Sequence, residues 1–295
     1  MVSVLIPTYN YNALSLVKEI HSQLTHSKVP FEIICLDDAS VQNVYVENNQ
    51  INALEFSKFE VLAQNIGRSK IRNKLASQAA YDWLLFLDVD VVPKNTNFIV
   101  SYLKAISNET SVLCGGINYD VKQPVGAKLL RWTYGTKREA IPISQRINNP
   151  YKHFLSSNFL IHKKVFSDIE FNELLTTYGH EDTLFAIELK NKQIEIKHID
   201  NTVYHLGVEP NIVFIEKVRR SIENANYLYQ HQLIRKGDIT LIDKFIRFKT
   251  LRIDRFTAWI FQKFKQQWEQ NLCSKKPSLF VFDIYKLGYL CLINQ

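Results

Sequence analysis

"LLFLDVDVVP", residues 84–93, carries four apolar side chains, Leu84 to Leu87, into two aspartates set one residue apart. A short apolar run of this kind reads as a buried strand. Strands alternate their side chains, so Asp88 and Asp90 would emerge together on one side of its carboxyl end. Two ionised carboxylates that close repel unless a cation or protons lie between them. A solvated acidic turn after a strand would look the same in isolation, so the surrounding sequence has to decide.

Upstream of this stretch, short apolar runs alternate with helical spacing. Residues 2–6, 31–36, 59–62 and 83–87 read as strands, and residues 12–27, 44–57 and 66–80 as helices, the last with Ile71, Leu75 and Ala79 on one face. Such alternation predicts an α/β fold, a Rossmann-like mostly parallel sheet with helices on both faces, which binds ligands at the carboxyl ends of its strands. The residues at those ends are Pro7, Thr8, Tyr9 and Asn10, then Asp37, Asp38, Ala39 and Ser40, then Asp88 and Asp90. Neither a G-x-G-x-x-G nor a G-x-x-x-x-G-K loop is present, and the first glycine is Gly67. A diphosphate at this edge would therefore need a divalent cation, Mn²⁺ or Mg²⁺, held by carboxylates, because bare carboxylates repel phosphate.

Composition sets the class. The chain has 295 residues, 46% hydrophobic and 12% aromatic, with only 9 Gly and 8 Pro, enough for one large core or two smaller ones. No run reaches the roughly 18 uncharged apolar residues of a membrane span, and the opening "MVSVLIPTYN" lacks a basic leader, so a cytoplasmic protein is expected. Cys35, Cys114, Cys273 and Cys291 form no C-x-x-C pair and read as reduced thiols. The net charge of +7 is uneven: from residue 217 onward there are 15 Lys and Arg against 6 Asp and Glu, which leaves a slightly acidic remainder. Basicity confined to the tail points to an anionic membrane surface or acidic partner rather than to nucleic acid.

"VSVLIPTYN", "IICLDDAS", "NIGRSKIRN" and "LLFLDVDVVP", in that order, resemble the nucleotide-binding half of family 2 glycosyltransferases, inverting enzymes of the GT-A fold that use nucleotide-sugars. "SSNFLIHKKVF" and "YGHEDTLFAIEL" are similar to the family's acceptor-side loop and its Glu-Asp motif, so the resemblance spans residues 1–207. It implies a catalytic domain over 1–210, divided into a nucleotide-binding half (1–93) and an acceptor half (94–210). A basic amphipathic helical region would follow over 211–295. Ala39 stands where the family more often has Gly, a substitution that is harmless if the turn does not require positive φ.

The resemblance also implies roles. Asp38 would hydrogen-bond the pyrimidine, with Pro7, Thr8 and Tyr9 lining that pocket, and Arg72 would brace the nucleotide. Asp88 would face the ribose or the metal's water shell, and Asp90 would ligate the metal with His205 as a further ligand. Asp182 would be the base that takes the acceptor proton, and Glu181 would hold acceptor or loop. Asp37 reads equally as a turn cap or a nucleotide contact, and Arg68 and Arg72 equally as partners of an acidic loop. The expected donor is a UDP-sugar and the acceptor a glycan or lipid-linked glycan. The chain lacks Q-x-x-R-W after the Glu-Asp pair, which favours single addition over processive synthesis.

Within residues 241–272, apolar and aromatic side chains recur every three or four positions between Lys and Arg. They form either the core of a helical subdomain or a peripheral membrane face on the inner leaflet. Two other function classes fit paired acids on an α/β sheet: a nucleotidyltransferase, and a non-catalytic nucleotide-sugar binding module. The first would be expected to carry a Gly-rich basic loop after the first strand, and the second has no need of a base at Asp182.

Overall fold

The computed structural model describes residues 1–41, 44–124, 126–175 and 177–295, with backbone only at 44 and 45. The first half runs β1 (Val2–Thr8), α1 (Leu14–Ser27), β2 (Phe31–Asp37), α2 (Val44–Asn48), β3 (Ser57–Val61), α3 (Arg68–Gln78), β4 (Trp83–Leu87), β5 (Val91–Pro93) and α4 (Phe98–Ala105). Then follow β6 (Val112–Cys114), β7 (Ile117–Asn118), α5 (Leu129–Tyr134), α6 (Ile143–Asn148), β8 (Asn158–His162), α7 (Lys163–Ile169), α8 (Glu181–Asn191), β9 (Ile196–His198) and β10 (Val203–His205). Four helices close the chain: α9 (Asn211–Gln230), α10 (Thr240–Thr250), α11 (Asp254–Leu272) and α12 (Leu279–Leu292). Among the described residues, no helix is long and apolar enough to cross a membrane.

Seven strands form the main sheet in the order β3-β2-β1-β4-β8-β6-β9, and β5-β10-β7 form a small second one. β3, β2, β1 and β4 are parallel, and β8 enters antiparallel between β4 and β6. Alternation along the central strands explains the near-continuous apolar runs. Val4, Ile6, Ile33, Cys35, Leu85 and Leu87 pack on one face with α1 and α4. Leu5, Ile34, Leu36, Leu84 and Phe86 pack on the other with α3, α7 and α8. A parallel sheet buried on both faces needs hydrophobic residues at every position.

The helix expected over 44–57 stops short. α2 passes into a 3-10 turn, Asn49–Ala53, and Phe56 takes a left-handed φ of 57°, which turns the chain into β3 two residues earlier than its apolar pattern suggests.

The chain divides into two compact units. The first holds residues 1–119, 140–176 and 181–207, and the second 120–139, 177–180 and 208–295. The second unit thus includes residues 120–139, 177–180 and 208–210 of the segment that the sequence assigns to the acceptor half. Its core joins Leu130 to Phe214, Ile215, Phe261, Leu272, Phe282 and Tyr285, so α12 docks as a core helix.

Candidate active site

Because β2, β1 and β4 are parallel neighbours, the residues following Asp37, Thr8 and Leu87 leave the sheet at one edge. Hydrogen bonds stitch the first two exits together. Asp38 donates its backbone N–H to Thr8 O (2.8 Å), Asn10 N–H to Ser40 Oγ (2.7 Å), and Val41 N–H to Asn10 Oδ1 (3.0 Å). Asp37, fully buried, accepts both the backbone N–H and the hydroxyl of Ser40 at 2.7 Å, so it is the turn cap of the two roles open to it. Ala39, between them, sits at φ 58°. The turn takes the left-handed conformation, so the condition on which Ala would be harmless is not met.

Asp38 is buried, and its two oxygens accept backbone N–H groups from Ile66 (2.7 Å) and Gly67 (3.0 Å). It therefore fixes the loop that opens α3, while further lone pairs on each oxygen remain for a ligand. Thr8 is buried with its hydroxyl 3.2 Å from Cys35 Sγ, Pro7 is half-buried and Tyr9 is exposed.

Asp88 and Asp90 do not share a strand side. β4 ends at Leu87 and β5 begins at Val91 in the other sheet, so the two acids occupy a turn and acquire separate partners. Arg72, almost wholly buried, donates Nη2 to Asp88 Oδ1 (2.5 Å) while its guanidinium lies 5.5 Å from the Phe171 ring centre. Its side-chain partner is thus the strand-end acid. Burial alone would raise the Asp88 carboxyl, but Arg72 and then Arg68 hold it below the usual carboxylate range.

Asp90 faces His205, with Nε2 3.5 Å from Oδ2 across the antiparallel β5-β10 ladder. A Cβ on Gly207 would stand 1.9 Å from Asp90 Oδ2, so only glycine leaves that carboxylate its place. Tyr119 packs on the His205 ring at 5.4 Å, and Tyr11 lies close enough to Asp90 for its phenol to be raised by burial and then by that charge. Among the described residues no three His, Cys, Asp or Glu side chains gather into a self-sufficient metal site. Two protein donors about 2.1 Å from one ion would lie about 3 to 4 Å apart, so Asp90 and His205 fit a cation completed by ligand oxygens.

Glu181 and Asp182 open α8, where the helix dipole favours acids. The helix is seated by Phe185, stacked on Phe171 at 4.4 Å within a cluster with Phe86, Phe154, Phe159 and Phe166. Arg68 spans the site, with Nε 2.5 Å from Glu181 Oε1 and Nη2 3.8 Å from Asp88 Oδ2. Burial opposes ionisation of Glu181, yet Arg68 keeps its carboxyl below the ordinary range. Asp182 lies next to that retained charge, and burial followed by the Glu181 charge pushes it up to about 7.

The family model described as Glycosyl transferase family 2 matches residues 3–170, more than half of the chain. The chain belongs to glycosyl transferase family 2. A Haemophilus influenzae protein described as an uncharacterized glycosyltransferase is 36% identical to this family member over 91 residues, 30% of the chain and 29% of that protein. Among solved structures, S. aureus TarS 1–349 in complex with UDP-GlcNAc matches with a TM-score of 0.52 at 18% identity, over 99% of this chain and 90% of that one. A mannosyltransferase from Pyrobaculum calidifontis, in complex with GDP-Man and Mn²⁺, gives 0.54 at 13% identity, over 78% of this chain and 64% of that one. The chain spans 39% of the longer TarS chain. These likenesses establish the GT-A fold.

For this glycosyltransferase family member, sequence reasoning missed Gly207, Tyr11 and Tyr119, and left Arg68 undecided. Gly207, two residues after His205 in a chain poor in glycine, is the signal that was available.

Proposed function

We propose that the chain is an inverting, metal-dependent transferase that moves one hexosyl or N-acetylhexosaminyl group from a UDP-sugar to a hydroxyl of a glycan or lipid-linked glycan. The role is polysaccharide or glycoconjugate synthesis on the cytoplasmic face of a membrane. One observation carries this reading: Arg68 ties Glu181 to Asp88, so the acids of α8 and those at the strand ends serve one edge of one sheet. The donor follows the UDP-GlcNAc of the TarS complex, and the metal follows the Mn²⁺ of the mannosyltransferase complex.

In this reading Pro7, Thr8, Tyr9 and Asp38 surround the base and Asp88, braced by Arg72, receives the ribose. Mn²⁺ or Mg²⁺ on Asp90 and His205 would supply neutralising charge to the leaving diphosphate. Asp182 accepts the acceptor's hydroxyl proton while that oxygen bonds the anomeric carbon and the carbon–phosphate-oxygen bond breaks on the opposite face, which inverts configuration. A base near pH 7 suits this task and is worth about 10²- to 10⁴-fold. Arg68 holds Glu181 charged, which keeps Asp182 proton-avid.

UDP with Mn²⁺ should raise the melting temperature well above UDP with chelator, and Asp90→Ala should erase the difference. An equal rise with chelator present would remove the metal-bridged reading.

A further inference from the structure

Packing splits the aromatic stripe of the second unit between core and solvent. Ile242, Phe245, Ala258, Phe261 and Leu272 are buried, whereas Leu251, Ile253, Phe256 and Trp259 are 57%, 37%, 61% and 52% exposed at the corner where α10 passes into α11. The corner is ordered: the N–H groups of Leu251, Arg252 and Ile253 each close on α10 carbonyls at 3.0 Å, and Arg252 turns the chain with φ 58°. These apolar side chains are therefore held out on a fixed turn. Phe256 and Trp259 stack at 5.8 Å, and Lys263, one turn further on, brings Nζ to 5.1 Å from the Trp259 ring.

The exposed charge along this stretch has one sign. From residue 241 to 280 the exposed charged side chains are nine, all Lys or Arg. The three acids of the stretch, Asp243, Asp254 and Glu269, are partly covered. Asp243 accepts the Gly237 N–H (2.8 Å), and Glu269 is taken by Arg219 and Tyr285.

We propose that this corner docks the protein on an anionic lipid bilayer. Leu251, Ile253, Phe256 and Trp259 enter the boundary between headgroups and acyl chains, and the surrounding cations meet lipid phosphates. Trp beside Lys suits that boundary, where one end of a side chain is apolar and the other wet. A second copy of the chain fits poorly, because a symmetric contact would set cations against cations. A soluble polyanion would satisfy the cations and leave Leu251 and Ile253 in water. The inference is independent of the reaction assigned to the first unit.

The test is co-sedimentation of the full chain with phosphatidylglycerol-containing vesicles and with neutral phosphatidylcholine vesicles. Pelleting with the anionic vesicles alone is expected at low salt, with release near 1 M, where the Debye length is about 3 Å. Phe256→Ser with Trp259→Ser, and separately Arg252→Glu with Arg255→Glu, should each weaken partitioning about tenfold or more. Both pairs lie at exposed positions, so an unchanged melting temperature confirms an intact protein. Equal uptake by neutral vesicles, no uptake by anionic ones, or serine variants that pellet like the parent would overturn the proposal. So would self-association that the serine variants abolish, since the occupant would then be a second copy.

Discussion

Asp182, the proposed base, would serve chemistry at the expense of stability. Its carboxyl titrates near 7 in the folded chain, raised by burial and then by Glu181, against about 4 when unfolded. The folded state therefore loses stability as pH climbs from about 4 to about 7, and the loss persists above that. Asp182→Asn should melt several degrees higher than the parent at about pH 8, with the gap closing toward about pH 4 in a thermal-denaturation series. The same variant should lose at least about a hundredfold in transfer while binding UDP normally, and parental kcat/KM should rise through about pH 7. Retained turnover would give the base role to another group. Ala39 offers a second case. Its left-handed φ costs about 1–2 kcal/mol, and glycine's extra unfolded-state entropy returns about 0.5–1. Ala39→Gly is accordingly expected to stabilise by about 0.5–1 kcal/mol in urea denaturation, with UDP binding unchanged.

At the level of elements, the candidate metal pair depends on two short strands. β5 and β10 are three residues each, and their pairing brings His205 opposite Val91 and so next to Asp90. Just past the ladder's end the Leu206 N–H bonds Asp90 O (2.8 Å), and Gly207 gives the Asp90 carboxylate its space. Gly207→Ala should abolish the Mn²⁺-dependent part of the UDP-induced thermal shift, while the ligand-free melting point stays within a few degrees of the parent. A full Mn²⁺ response in this variant would show that the carboxylate does not need that space. In the second unit, Gly288 serves close packing of a different kind: a Cβ there would lie 2.8 Å from Phe261 Cβ, where α12 meets α11. Gly288→Ala forces two backbones apart and should cost about 1–3 kcal/mol in equilibrium unfolding.

Across the molecule, the second unit's core draws on both sides of any cut made near Arg235. Phe214 and Ile215 of α9 pack with Phe261, Leu272, Phe282 and Tyr285 from α11 and α12. Arg219 on α9 is anchored by Tyr285 Oη (2.7 Å) and by Glu269. A chain ending near Arg235 would keep every proposed catalytic residue yet bare the apolar face of α9, so it should aggregate on expression or refolding. A truncated protein that stays monomeric and binds UDP would show instead that α9 is stable without the later helices.

The β-α-β order, the strands on either side of Asp37 and Asp88, and the placement of Glu181 and Asp182 in the first turn of a helix were all legible from the sequence. Each rests on local periodicity and short-range chemistry, which a linear string records. The partners were not legible. Asp38 spends its carboxylate on N–H groups 28 and 29 residues away, and Arg68 reaches a glutamate 113 residues away. Asp88 and Asp90 part company because the chain changes sheets between them, which no pattern within "DVD" encodes. The aromatic stripe of the tail likewise has one periodicity and two fates. Helical spacing determines which residues share a face, but packing of α11 against α12 decides which of them water still touches, because burial depends on neighbours brought together by the fold.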